Sequence, residues 1–244
     1  MDAMIFAAGL GTRLGAIGHD TPKALIEVGG KTMLERTVRR VVEAGADRVV
    51  VNLHHQADRV RAFVDENNFG VELHLSFEPE RPLETGGGLW HARRLFRGDS
   101  PILLHNVDVI TDADLGLLVS AHQRSGALAA LAVGEREASR YLWFDESGLF
   151  GREDRRRGLE RSESRPPCGA VRRWAFAGIQ VCSPELLERI TERGVFSIMQ
   201  TYLRLAAEGA RIEPWILTDA LWLEIGNPER LEAARAAFGE AGAG

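Results

Sequence analysis

Cysteine is scarce in this sequence: Cys168 and Cys182 are the whole supply, fourteen residues apart. Two thiols at that spacing make neither a disulfide framework nor a metal-ligand set, so both are expected to be reduced packing residues in a cytosolic protein. No run approaches the ~18 apolar residues of a membrane span, and no basic region leads into an apolar stretch and cleavage site at the N-terminus. A cytoplasmic location without membrane attachment is the expectation. Basic residues are not in excess: 30 Lys and Arg face 35 Asp and Glu, a net charge of −5. That balance argues against a nucleic-acid partner, which calls for a basic surface. Repeats, flexible linkers and coiled-coil heptads are missing too, so a monomer or small homo-oligomer is expected. What remains is ordinary for a globular chain, 45% hydrophobic and 27% charged over 244 residues. Such a chain can bury roughly 70–75% of its unfolded surface without a disulfide or metal staple.

Along the first 135 residues, apolar runs alternate with helical patterns. Residues 3–8, 47–55, 71–78, 100–110 and 127–135 read as strands; 32–44, 58–66 and 114–125 read as helices, with Asp112 or Asp114 capping the last. "ETGGGLWHARRLF" reads as a glycine turn opening a further helix. This order predicts an α/β fold, a three-layer α/β/α Rossmann-like arrangement with a central, mostly parallel mixed sheet. Ligands in such sheets sit beyond the carboxyl ends of the strands. In the second half, "YLWFDESGLFGRED" reads as two strands joined at residues 146–148, 151–167 as a charged loop, and "RRWAFAGIQVCS" as a strand. Helices are expected over 184–193, 197–208 and 228–238, with short strands in "RIEPWIL" and "ALWLEIG".

The opening "MDAMIFAAGLGTRLGAIGHDTPKAL" delivers a strand into a glycine turn. Gly9 and Gly11 match the first two glycines of the dinucleotide fingerprint, but Leu14 takes the third place and no acid ends the second strand. A P-loop is excluded because no Gly-Lys-Ser/Thr follows. Arg13 and Lys23 add two cations, and the segment between them is too short and glycine-interrupted for a regular helix. Backbone N–H groups and two cations in such a loop suit a triphosphate.

Four stretches together resemble one family. "FAAGLGTRL…TPKAL" is similar to the signature of sugar-1-phosphate nucleotidyltransferases, also called nucleotide-sugar pyrophosphorylases. "PLETGGGL" resembles their base- and sugar-pocket segment, especially in N-acetylmuramate-1-phosphate uridylyltransferases, while mannose-1-phosphate guanylyltransferase-like enzymes share most of these residues. "LLHNVDVI" resembles the strand end that holds the metal. "LWLEIGNPERLEAA" resembles the family's C-terminal element. Three departures stand out: Ala24 replaces a proline, Glu224 replaces an aspartate, and the family's Glu-Lys-Pro element has no counterpart.

The resemblance implies a single nucleotidyltransferase domain over 1–244, with 1–135 the nucleotide-binding half and 136–244 the sugar-binding half. Its implied reaction transfers a nucleoside monophosphate from an NTP, UTP or GTP, to a sugar 1-phosphate, giving NDP-sugar and pyrophosphate. Mg2+ is the implied cofactor, held by Asp108 and Glu224; Arg13, Lys23 and Asp108 are the implied catalytic residues. Ala8, Gly9, Gly11, Thr12, Thr85, Gly86, Gly87 and Asn106 join Arg13 and Lys23 around the nucleotide, and Glu84 and Gly178 face the sugar. Asp108 also stands on physical grounds, since it ends an apolar strand where an unpaired carboxylate is expensive. His54 and His55, adjacent on a strand, point apart and do not suit one ion. His105 suits either the nucleotide or a hydrogen-bonded place in the core.

The rival readings are a nicotinamide-dependent oxidoreductase, a non-catalytic nucleotide-sugar-binding protein, and a cytidylyltransferase acting on a phosphorylated alcohol such as phosphocholine.

Overall fold

The apolar runs at 3–8, 47–55, 100–110 and 127–135 become buried strands, as the inside of a parallel sheet requires, while 71–78 becomes a half-exposed edge strand. The computed structural model describes residues 1–78, 80–155 and 158–239. In chain order its strands are β1 (Asp2–Phe6), β2 (Glu27–Val28), β3 (Lys31–Thr32), β4 (Arg48–Leu53), β5 (Glu72–Phe77), β6 (Ile102–Asn106), β7 (Val109–Thr111) and β8 (Ala129–Gly134). They continue with β9 (Arg140–Asp145), β10 (Gly148–Asp154), β11 (Leu159–Glu163), β12 (Arg172–Cys182), β13 (Ile212–Ile216) and β14 (Trp222–Glu224). The helices are α1 (Ala16–Asp20), α2 (Met33–Glu43), α3 (Ala57–Glu66), α4 (Glu84–Ala92), α5 (Leu115–Ser125), α6 (Glu185–Arg189), α7 (Ile198–Ala207) and α8 (Pro228–Gly239).

β5, β4, β1 and β6 lie side by side and parallel, Ala3 pairing with Val49 on one flank and Leu103 on the other. Successive β1 residues serve opposite faces, as pleating demands. Ala3 and Ile5 pack with Leu34 and Val38 of α2, Leu118 of α5 and Leu231 of α8. Met4 packs with Leu89 of α4 and with Tyr202 and Leu205 of α7. This is the expected three-layer α/β/α arrangement. β12 then runs antiparallel to β6 and carries the sheet onward, pairing with β8 and, through Arg172–Trp174, with β9. Because β8 is in turn antiparallel to β12, its carboxyl end emerges on the same edge as those of β1, β4 and β6.

Several local expectations change. Residues 100–110 form two strands, not one: the chain breaks at Val107-Asp108, and β7 leaves the main sheet to pair with β14. The glycines of "ETGGGL" lie inside α4 rather than in a turn before it. Within 14–20, a segment too short and glycine-interrupted to suggest a regular helix, residues 16–20 form α1, one turn long. The predicted helix at 184–193 shrinks to α6, Glu185–Arg189. The charged stretch 151–167 holds the end of β10 and the edge strand β11. There the Arg161 guanidinium covers the Trp143 ring at 4.3 Å, so an apolar face is shielded by a charged side chain and the composition looks like a loop. Cys168 is exposed rather than packed; Cys182 is buried, and burial pushes its thiol up to about 12.

Candidate active site

The first strand delivers an open turn. Gly9 and Leu10 are exposed, and a Cβ at Gly9 would meet nothing within 4 Å. Gly11 takes a left-handed φ of 66° and starts the short 3-10 turn Thr12–Leu14, leaving Thr12 and Arg13 exposed. α1 is pressed onto this turn through Gly18, whose Cβ would stand 2.3 Å from the Gly11 carbonyl oxygen. Pro22 then sets a second 3-10 turn, Lys23–Leu25.

That turn aims Lys23 across the sheet. Its Nζ donates to Asp108 Oδ2 at 2.8 Å, with the two side chains only 12% and 15% exposed. The break after β6 therefore serves the site, because it turns Asp108 towards the loop that follows β1. Glu224 arrives beside it through the β7–β14 ribbon, which pairs Glu224 with Val109 and lets the Ile225 N–H donate to the Asp108 carbonyl at 2.9 Å. Glu224 Oε2 accepts from Arg230 Nη1 at 2.7 Å and from Arg136 Nη2 at 3.4 Å. Arg13 joins this group: its two Nη atoms lie 3.5 and 3.6 Å, and Glu224 Oε1 3.1 Å, from the point a Gly226 Cβ would occupy.

Two carboxylates at the mouth of a sheet, ringed by four cations, are suited to a polyphosphate and a divalent ion. Magnesium takes one or two carboxylates and fills its remaining positions with water and phosphate oxygens. Asp108 and Glu224 supply that number, and no cluster of three or more His, Cys, Asp or Glu appears among the described residues. The donor set fits a metal shared with a phosphate and does not fit an all-protein cage. A separate cleft of about 400 Å3, lined by residues such as Lys31, Arg36, Arg40, Ile110 and Phe238, contains none of the predicted site residues.

The family model described as "Nucleotidyl transferase" matches residues 2–240. The sequence is 32% identical over 249 aligned residues to N-acetylmuramate alpha-1-phosphate uridylyltransferase of Caulobacter vibrioides, covering 98% of this chain and 97% of that one. The chain belongs to the nucleotidyl transferase family. The Neisseria meningitidis protein of the same name is 31% identical over 240 residues, 98% of this chain and 99% of its own. A solved structure, a putative glucose-1-phosphate thymidylyltransferase from Bacillus anthracis in complex with a sucrose, shares the fold with a TM-score of 0.78. It is 17% identical and covers 98% of this chain and 95% of that one.

In this nucleotidyl transferase the remaining predicted residues divide into two groups. Asn106 and Gly178 meet: Gly178, left-handed at φ 78°, sits where β12 slips register, and a Cβ there would stand 2.7 Å from Asn106 Nδ2. Ala8 is buried at the start of the turn. The glycines of α4 behave differently from the expectation. A Cβ on Gly86 would lie 2.3 Å from the Phe196 ring, and one on Gly87 2.3 Å from the Gly194 carbonyl oxygen. Their N–H groups donate to the Phe196 carbonyl, and Thr85 Oγ1 accepts from the Ile198 N–H at 3.1 Å. The close approach these residues permit is to the loop before α7, because α4 must lie flush against it to cap that helix. Glu84, by contrast, is exposed and holds a left-handed φ of 59°, a conformation that is uncommon for any non-glycine residue.

Sequence reasoning passed over Asn52, Glu78, Arg136 and Arg230. Asn52 Oδ1 accepts from the Ala7 N–H at 2.8 Å, and its Nδ2 donates to Glu78 Oε1 at 2.6 Å. Glu78 Oε2 accepts from the Leu83 N–H at 2.7 Å. This buried chain of bonds fixes the opening turn relative to the start of α4. Both residues end apolar strands, the same signal that exposed Asp108. His54 bonds the Glu78 carbonyl while His55 is exposed, so the two histidines do serve different places.

His105 is a core residue. Its Nδ1 lies 2.8 Å from the Asn106 carbonyl oxygen, and burial pushes its pKa down to about 4. The unfolded chain takes up this proton near pH 6.5, the folded one only near pH 4. Its contribution to stability is therefore complete above pH ~6.5 and is lost as pH falls towards ~4, by at most about 3 kcal/mol. Urea unfolding of wild type and His105→Gln at about pH 7 and about pH 4.5 should show the wild type losing about 2–3 kcal/mol more than the variant. Equal losses would refute the assignment.

Proposed function

We propose that this chain transfers a nucleoside monophosphate from an NTP to a sugar 1-phosphate, releasing pyrophosphate, with UTP and N-acetylmuramate 1-phosphate as the first pair to try. The observation that carries the reading is the Lys23–Asp108 pair, which ties the exposed glycine turn to the strand end beside Glu224. The two relatives named above are uridylyltransferases for that sugar phosphate and match this chain nearly end to end.

In this reading residues 1–135 hold the nucleotide and 136–244 the sugar. The exposed Gly9–Gly11 turn and Thr12 admit the triphosphate, with Ala8 and Asn106 beside the nucleoside. Arg13 and Lys23 neutralise the β- and γ-phosphates and hold the pyrophosphate as it leaves. Asp108 and Glu224 would hold Mg2+, which when bound supplies charge neutralisation at the α-phosphate. The sugar phosphate is itself an anionic nucleophile, so no protein base is required for in-line attack. Gly178 lets β12 close onto Asn106, and the backbone of this kink faces the sugar side. Thr85, Gly86 and Gly87 act by packing, setting the position of Glu84 at the sugar side.

A pyrophosphate-release assay over a matrix of nucleotides and sugar 1-phosphates tests this; UTP with N-acetylmuramate 1-phosphate is expected to give the highest kcat/KM. Release with GTP and mannose 1-phosphate instead would reassign the specificity, and silence across the matrix would sink the reading. Glu84 gives a second check. Glu84→Gly relieves a left-handed strain of about 1–2 kcal/mol against a glycine entropy cost of about 0.5–1, so Tm should hold or rise slightly. Its KM for the sugar 1-phosphate should rise several-fold; an unchanged KM would remove Glu84 from the sugar site.

A further inference from the structure

Arg136 is poorly served by the groups around it. It follows β8 by two residues and lies over an indole, its Cζ 3.4 Å from the centre of the Trp222 ring. The side chain is 29% exposed, and burial lowers its pKa against the pull of Glu224. A guanidinium offers five N–H donors. Here Nη1 reaches the Trp222 carbonyl only at 3.3 Å and Nη2 reaches Glu224 only at 3.4 Å, while the buried Nε has no acceptor among the described residues. A half-buried cation with long, incomplete bonds is costly, and an oxyanion laid against it would relieve that cost.

The surrounding charge points the same way. Arg13, Arg136 and Arg230 gather about the single carboxylate of Glu224, while Lys23 already neutralises Asp108. Among these six groups two positive charges are left unmatched. The two arginines reach this carboxylate from different places: Arg13 lies beyond β1 and Arg136 beyond β8, with β6 and β12 between those strands, and their side chains converge on Glu224. A triphosphate seated on the turn after β1 leaves Arg136 to address a second phosphate, in the half of the chain that begins with it.

We propose that Arg136, assisted by Arg230, is the seat of the phosphate group of the sugar 1-phosphate, and that Glu224 occupies this seat as an internal anion while substrate is absent. The inference rests on the function proposed above and assigns it a residue. When the phosphomonoester enters, the guanidinium exchanges its long bonds to Trp222 and Glu224 for a bidentate pair to phosphate oxygens, and the Glu224 carboxylate is freed. Trp222 keeps the fork in plane, its own ring held against Gly134, where a Cβ would meet it at 3.2 Å. Lysine keeps the charge but loses both the fork and the stacking, so it is an incomplete substitute.

The test uses the full-length chain with Arg136→Gln and Arg136→Lys. With UTP and N-acetylmuramate 1-phosphate, or whichever pair the wild type turns over, R136Q should raise KM for the sugar phosphate at least about 10-fold and R136K less, with KM for the nucleotide changed under about 2-fold. Titration calorimetry with inorganic phosphate should show binding to the wild type that R136Q loses, a readout independent of turnover. Equal rises in both KM values, or unchanged sugar-phosphate KM and phosphate binding in both variants, would overturn the proposal. Should R136Q fail to fold, R136K decides by the same split. If the wild type turns over no pair at all, the proposed function fails, and the phosphate titration still judges the seat by itself.

Discussion

Asp108→Asn is expected to lower kcat by about 10²–10³-fold, since one carboxylate of the proposed two-carboxylate magnesium site would be worth several kcal/mol in the transition state. The conservative amide isolates that loss from folding. Its side-chain oxygen can still accept from Lys23 Nζ, which now lies 2.8 Å from Asp108 Oδ2. The side chains of both partners retain some exposure, so the stability cost should be only about 1–2 kcal/mol, or a few degrees in Tm for a chain of this size. Pyrophosphate release at saturating substrate and magnesium, with a thermal melt alongside, gives both numbers. A kcat equal to wild type would remove Asp108 from the metal site, and a collapse of Tm without soluble protein would show the pair to be structural.

Gly87→Ala should act in the opposite sense, on folding before function. The added Cβ would lie 2.3 Å from a backbone oxygen, that of Gly194, and 2.9 Å from Leu83 Cβ. A backbone carbonyl cannot swing aside as a side-chain tip can, so α4 and the loop before α7 must separate. Overpacking of this kind costs about 1–3 kcal/mol and outweighs the up to ~1 kcal/mol gained by replacing glycine with alanine inside a helix. The net loss of about 1–2 kcal/mol should lower Tm by roughly 2–8 °C, with nucleotide KM little changed. An unaltered Tm with a large rise in nucleotide KM would return Gly87 to the nucleotide pocket, where the sequence had placed it.

The contrast between Gly9 and Gly87 shows how far a glycine can be read in advance. Both stand in glycine-rich stretches beside predicted ligand positions. Gly9 has open space on its Cβ side and Gly87 has protein, and no local feature separates the two. Asp108 was legible because a carboxylate ending an apolar strand demands a partner. Asn52 and Glu78 end strands in the same way and carry the bond chain from the opening turn to α4. The edge strand β11 was hidden by Arg161, whose guanidinium lies over the Trp143 and Phe150 rings and gives the stretch the composition of a loop.

The alternation of buried strands with helices, the open turn after the first strand and the acid that ends the fourth predicted one were all determined by the sequence itself. These are short-range properties: a strand buried on both faces must be apolar along its length, and a tight turn needs its glycines in place. The meeting of Glu224 with Asp108, the three arginines around one carboxylate and the packing role of the α4 glycines were decided by the tertiary structure. Each depends on which strands become neighbours and how closely two backbones approach, and those contacts are made between residues that have no periodicity in common.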